Sequence, residues 1–225
     1  MNIRFLAAAL LAALLFSGCG DDPVDPPIPP IDPWPALSAK EDVLYYVQRA
    51  YNERNESKYE DVLDEGFVNF LSDGDANNGL PAQWDRQTEV TSINNLFSKT
   101  QVPDPNRPGH LLPLVQMIEM DVQYEAGVTW VPVTPMSAPT ETWYTTTAYY
   151  FFQITVLPEG ATENLTFYPD LNSKVQVTVR NNGTDSKPVW KIVEFRDLGA
   201  GGSLAQLHTK SPQQVTWGGV KALYR

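Results

Sequence analysis

The chain has 225 residues, with 27 acidic side chains against 16 basic ones and a formal net charge of −11. Such an acidic surface repels phosphate backbones and anionic headgroups, which excludes nucleic acid as a partner and a basic face as the route to a membrane. One cysteine, Cys19, excludes an intrachain disulfide.

The N-terminus reads as an export signal over residues 1–18. Arg4 precedes the apolar run Phe5 to Phe16, which stops at Ser17-Gly18-Cys19. A helix over that run would be about 18 Å long, short of the roughly 30 Å hydrocarbon core it would have to cross. Small residues before the cysteine resemble a bacterial lipobox, with Phe16 where leucine is usual, and imply lipidation of Cys19 and a membrane anchor. An ordinary secretory signal cleaved near Gly18 is the alternative. Gly20 follows the cysteine where aspartate would favour the inner membrane of enteric bacteria, so that resemblance implies the outer membrane. Residues 19–37 form a linker in which Pro23, Pro26, Pro27, Pro29, Pro30, Pro33 and Pro35 predict a stiff polyproline II spacer. A ligand for a proline-reading module is the other reading of that segment.

From about Leu37 the chain suits one domain, taken as residues 38–199 with a tail over 200–225 that packs on it. Val43, Leu44, Val47, Ala50 and Tyr51 predict a helix from Ser38 or Ala39 to about Asn55, capped by Ser38. A short helix over 58–64 presents Tyr59, Val62 and Leu63 and is ended by Gly66. Residues 67–71 read as a strand, and Ser72 to Gly79 as a polar loop. Asp85 caps a helix from Arg86 to about Lys99, with Val90, Ile93, Leu96 and Phe97 in one stripe. The period then changes to two. Strands are predicted over 114–125, 142–157, 165–180 and 189–197, with a tight turn at Asn181-Asn182-Gly183 attributed to positive φ. Glu119 and Asp121 alternate with apolar residues and read as solvent-facing. The second face of the 142–157 strand carries Trp143, Tyr149 and Phe151, which need a cover from the tail around Trp217, Leu223 and Tyr224 or from a second subunit in a homodimer.

The element order, the segment Tyr51-Asn52-Glu53-Arg54-Asn55 and the closing strand Trp190 to Asp197 resemble the nuclear transport factor 2-like superfamily, which includes SnoaL-like cyclases and ketosteroid isomerases. The resemblance covers about Lys40 to Leu198. It implies an α+β fold in which a cone-shaped, curved antiparallel sheet wraps around three N-terminal helices, with a pocket at the open end. The residues expected to line that pocket are Trp84, Tyr144, Tyr150, Trp190 and Glu194. Glu194 is the candidate catalytic carboxylate, since strict alternation puts it on the face of Trp190 and Ile192. An ion pair with Arg196 or Lys191 is the competing reading.

Asp73 to Gly79 resembles a calcium loop only superficially, because its glycine is one place late and Trp84 stands where a bidentate glutamate is needed. His110 and His208 fall off the pocket-forming elements, and no metal or cofactor is implied. The Asn-x-Ser/Thr triplets at Asn55, Asn164 and Asn182 read as chance. The functional expectation is therefore a lipid-anchored cell-envelope module that binds a small apolar ligand or a partner without chemistry. The alternative is an isomerase, cyclase or dehydratase using a pocket carboxylate.

Overall fold

In the computed structural model, which describes residues 33–77, 80–124, 127, 129–168, 173–199, 213–214 and 217–225, helices alternate with two strands up to Phe97, strands follow, and a helix ends the chain. The signal over 1–18, Cys19, the linker up to residue 32 and His208 lie outside the described residues.

Helix α1 spans Asp42–Glu53 and buries Val43, Leu44, Tyr46, Val47, Ala50 and Tyr51, the stripe its spacing predicts. It starts later than expected. Leu37 has φ 52° and its carbonyl accepts from Trp190 N–H at 2.9 Å, so this segment is pinned to the sheet and Ser38 caps nothing. Arg54 ends the helix in a left-handed conformation, φ 52°, and its guanidinium donates to the carbonyls of Phe97 and Ser98. It thereby satisfies acceptors that another helix leaves open at its C-terminus. Helix α2, Glu56–Val62, is capped by Asn55, whose side chain accepts from Lys58 N–H at 3.2 Å.

Strand β1, Leu63–Phe70, begins earlier than predicted because Leu63 already pairs with the closing strand. The expected polar loop holds a short helix α3, Asp73–Asn77, then strand β2, Gln83–Asp85. Helix α4, Arg86–Phe97, is capped by Asp85 as predicted, at 2.9 Å from Thr88 N–H.

The remaining strands are β3 (Leu114–Tyr124), β4 (Val131–Val133), β5 (Trp143–Leu157), β6 (Leu165–Tyr168), β7 (Lys174–Asn181), β8 (Trp190–Asp197) and β9 (Gln213–Gln214), followed by helix α5, Trp217–Leu223. The single strand expected over 165–180 is thus two, β6 and β7, which pair with different stretches of β5. Among the described residues the strands form one curved sheet in the order β2-β1-β8-β7-β5-β6-β9, with β3 and β4 also on β5. The fold is α+β, with helices packed on one face of a mainly antiparallel sheet. Two pairings, β1 with β8 and β6 with β9, are parallel.

On β5, Ala148, Tyr150, Phe152, Ile154 and Val156 face the helices and are buried, as alternation predicts. Glu119 and Asp121 lie opposite Gln153 and Phe151 on the outer face. Trp143 and Tyr149 are half-buried there, and Phe151 is exposed. Leu223 and Tyr224 do not cover them. Both lie with Leu112, Val156 and Phe167 on the inner side.

The turn between β7 and β8 needs glycine for a reason other than positive φ. A Cβ on Gly183 would lie 2.1 Å from the Lys187 carbonyl oxygen and 2.8 Å from Val189 N. Beside it, buried Asp64 accepts from Arg180 Nε at 2.8 Å and Nη2 at 2.9 Å, from Asn182 Nδ2 at 2.8 Å and from Gly66 N–H at 2.8 Å. Burial raises the Asp64 pKa, but these donors outweigh it and hold the carboxyl below its ordinary value.

Two outcomes are expected. Gly183→Ala forces backbone apart and lowers unfolding free energy by about 1–3 kcal/mol, read as a fall in the urea midpoint. Because the folded Asp64 carboxyl titrates below its unfolded value, its stabilisation is complete above about pH 5 and is lost as pH falls through the unfolded value of about 4 and then the depressed folded value. Urea titrations from pH 5 to pH 2 should show that acid-side loss in the natural chain and a smaller one in Asp64→Asn.

Candidate functional site

The interior polar centre is built around Glu89, which is 0% exposed on the first turn of α4. That position near a helix N-terminus favours a carboxylate. Four elements bring donors to it. Tyr59 Oη from α2 donates to Oε1 at 2.5 Å; Asn69 Nδ2 from β1 and Trp84 Nε1 from β2 donate to Oε2 at 3.0 and 2.7 Å. The pairing of β1 with β2 sets Asn69 opposite Trp84, which is why both reach one oxygen. Lys221 from α5 closes the shell, with Nζ 2.8 Å from Oε1 and 3.1 Å from Oε2.

Lys221 is itself 2% exposed and sits 5.8 Å from the ring centroids of Trp84 and Phe195. Burial lowers the Lys221 pKa from the ordinary lysine value, against the raising effect of the Glu89 and Asp197 charges. Burial, reinforced by the Glu89 charge, pushes the Tyr59 hydroxyl well above its ordinary pKa. Asp197 belongs to the same interior, where it accepts from Tyr150 Oη at 3.2 Å and from Gly199 N–H at 2.9 Å. Helix α5 is anchored by Ser92 Oγ donating to the Lys221 carbonyl, by Asn95 Nδ2 donating to the Tyr224 carbonyl at 2.8 Å, and by Tyr224 Oη donating to the Pro113 carbonyl at 3.1 Å.

The five residues expected to line one pocket are dispersed. Trp84 is at the Glu89 centre and Tyr150 at Asp197, both buried. Tyr144 and Trp190 pair with each other, ring centroids 5.5 Å apart, with Lys40 Nζ over both rings, and both line a groove at the β7–β8 turn. Glu194 is on the outer face, 2.9 Å from Arg196 Nη2. The cause is a bulge in β8. Val179 pairs with Ile192 but Thr178 with Glu194, so Val193 is an extra residue and the alternation slips by one. That slip turns Phe195 and Asp197 inward and Glu194 outward. Of the two carboxylates on the second half of β8, Asp197 therefore lies inside, on the side of Glu89, and Glu194 lies outside.

The Glu89 signal was present in the sequence, since Glu89, Ile93 and Leu96 share the i, i+4, i+7 spacing of the apolar stripe. Its partner Lys221 lies 132 residues away, and no local pattern joins them. His110 stands 2.9 Å from Glu159 on the surface, and Asp75 accepts from Ser72 Oγ at 2.9 Å. Among the described residues no group of three or more His, Cys, Asp or Glu side chains is arranged to hold a metal.

A separate cleft of about 370 Å³ opens beside α5, lined by Leu112, Pro113, Val156, Leu165, Phe167 and Leu223 among others. Asp104 and Arg107 stand at it as an ion pair, 2.6 Å apart. A more open polar groove of about 750 Å³ lies at the β7–β8 turn, between Glu141, Arg180 and Asp185.

No family model matches the chain, and no curated protein matches it. Solved structures similar to it include a conserved protein from Planctomyces limnophilus, at 12% identity over 69% of this chain and 89% of that one, TM-score 0.41. A nuclear transport factor 2-like superfamily protein from Salmonella enterica serovar Typhimurium is similar at 5% identity over 75% and 93%, TM-score 0.40. A nuclear transport factor 2-like protein from Cytophaga hutchinsonii is similar at 9% identity over 71% and 93%, TM-score 0.34. These are likenesses of fold, and what the site does is argued from its own residues.

Removing one member of the buried pair leaves the other uncompensated. Lys221→Met should therefore cost about 3–5 kcal/mol of unfolding free energy, whereas Lys221→Met with Glu89→Gln should cost less than the sum of the two single changes. Urea denaturation of the four proteins measures the coupling. Additive losses would mean that the two charges do not interact.

Proposed function

We propose that the protein is a lipid-anchored module of the bacterial cell envelope that holds a small apolar molecule without chemistry. The observation that carries this reading is the cleft beside α5, whose lining is mostly aliphatic and aromatic and whose charged pair, Asp104 and Arg107, is self-neutralised. Its volume, about 370 Å³, falls within the range of roughly 300–1,000 Å³ that suits small-molecule sites. The isomerase, cyclase or dehydratase alternative asks for an accessible acid–base group. Glu89 has no exposed surface and is matched by Lys221, and Glu194 is tied to Arg196, so neither favours it.

Anchoring rests on the apolar run Phe5 to Phe16, the small residues before the lone Cys19, and the proline-dense spacer behind it. An acidic domain on such a spacer would stand away from anionic headgroups. Gly20 favours the outer membrane.

Two measurements test the reading. Cells expressing the full chain and fed labelled palmitate should yield a labelled protein, and Cys19→Ser should abolish the label; an unlabelled natural chain would remove the anchor. Native mass spectrometry of the mature domain should retain an apolar molecule from a panel of fatty acids and small lipids. Leu165→Glu, at the half-buried wall of the cleft, should weaken that binding at least tenfold, about 1.4 kcal/mol. Equal binding by Leu165→Glu, or none by the natural domain, would overturn the ligand site.

A further inference from the structure

The Glu89 centre has the make-up of a cation site, and its present occupant comes from the chain's own end. Tyr59, Asn69 and Trp84 are neutral donors from three different elements. They satisfy lone pairs of the carboxylate but leave its negative charge unbalanced, and a buried charge of that kind demands a cation. Lys221 supplies it through both carboxylate oxygens, with its ammonium near the Trp84 and Phe195 rings and within the field of Asp197. A carboxylate with aromatic rings beside it is the set of groups that recognises an ammonium on an apolar arm.

The occupant is attached by a weak element. Helix α5 has seven residues, Gly218 and Gly219 among them, too few and too flexible to be helical without docking. The three groups that frame Glu89 are carried by α2, β1 and β2, and of these Trp84 also packs against Ala222 of α5. We propose that the Glu89 centre is a binding site for primary alkylammonium groups on a short aliphatic arm, with Lys221 as its tethered resident ligand, which a free amine of that kind displaces. A tethered group acts at an effective concentration of order millimolar, so a free amine of equal intrinsic affinity displaces it when its own concentration exceeds that value. The site is distinct from the apolar cleft, although α5 borders both: Ala222, Leu223 and Tyr224 line the cleft while Lys221 points at Glu89. Failure of the amine experiment leaves the cleft standing.

The test uses the full mature chain carrying Cys19→Ser, with Lys221→Ala to empty the centre. The probe is n-butylammonium, which matches the lysine arm, and n-butanol is its neutral counterpart. Butylammonium should raise the Tm of Lys221→Ala saturably, by about 5–10 °C at a hundred times its Kd. Butanol should not, and the rise should vanish when Glu89→Gln is added. No saturable rise, or an equal rise with butanol, overturns the proposal. If Lys221→Ala does not fold, the chain with natural Lys221 gives the answer by hydrogen exchange. Butylammonium should then speed exchange of the Val220 to Tyr224 amides and leave the amides of β5 unchanged; no change in α5 overturns the proposal.

Discussion

A fully buried carboxylate governs how this chain closes. Removing an ionised group from water without compensation costs several kcal/mol, against a total stability of about 5–15 kcal/mol for a domain. Glu89 therefore cannot sit at the base of α4 unless other parts of the chain are brought to it. Tyr59, Asn69 and Trp84 come from α2, β1 and β2 and lie 30, 20 and 5 residues before it, and Lys221 comes from α5, 132 residues after it. Their convergence fixes the edge of the sheet against the helices and ties the last helix to the domain.

The sheet supplies the frame within which that convergence is possible. Strand β5, 15 residues long, pairs along its two edges with β3, β4, β6 and β7. It therefore presents one continuous row of buried side chains to the helices. The bulge at Val193 then gives β8 two roles. Its first half packs Ile192 inward beside Val179, and its second half turns Phe195 and Asp197 inward to border the Glu89 centre while Glu194 joins Arg196 outside. Without the extra residue the exposed and buried carboxylates on this strand would exchange places.

Helix α5 separates two environments of different chemistry. On one side its lysine supplies the cation that pairs with buried Glu89. On the other its apolar side chains wall a cleft closed by Leu112, Val156 and Phe167. A buried carboxylate neutralised by a lysine offers little to a reaction that needs an exposed base, and an apolar recess suits retention of a small hydrophobic molecule. The proposed function and the proposed amine site both follow from where this seven-residue helix docks.

Local chemistry decided much of the fold. The stripes of α1 and α4, the Asp85 cap and the alternation along β3 and β5 are set by neighbours within a few residues, and each appears in the structure close to where its pattern puts it. The start of α1 does not, because Leu37 is held by Trp190 across the domain. Nor does the split of β6 from β7, which β5 imposes, or the need for Gly183, which the approach of Lys187 creates. The site was the least legible part. Glu89 stood on an apolar stripe, yet only folding shows that a lysine 132 residues later neutralises it. Glu194 was assigned inward by an alternation that one bulged residue reverses. Sequence determined the elements because their determinants are local; tertiary structure decided which carboxylates lie inside, because burial and charge pairing depend on partners that only the closed chain brings together.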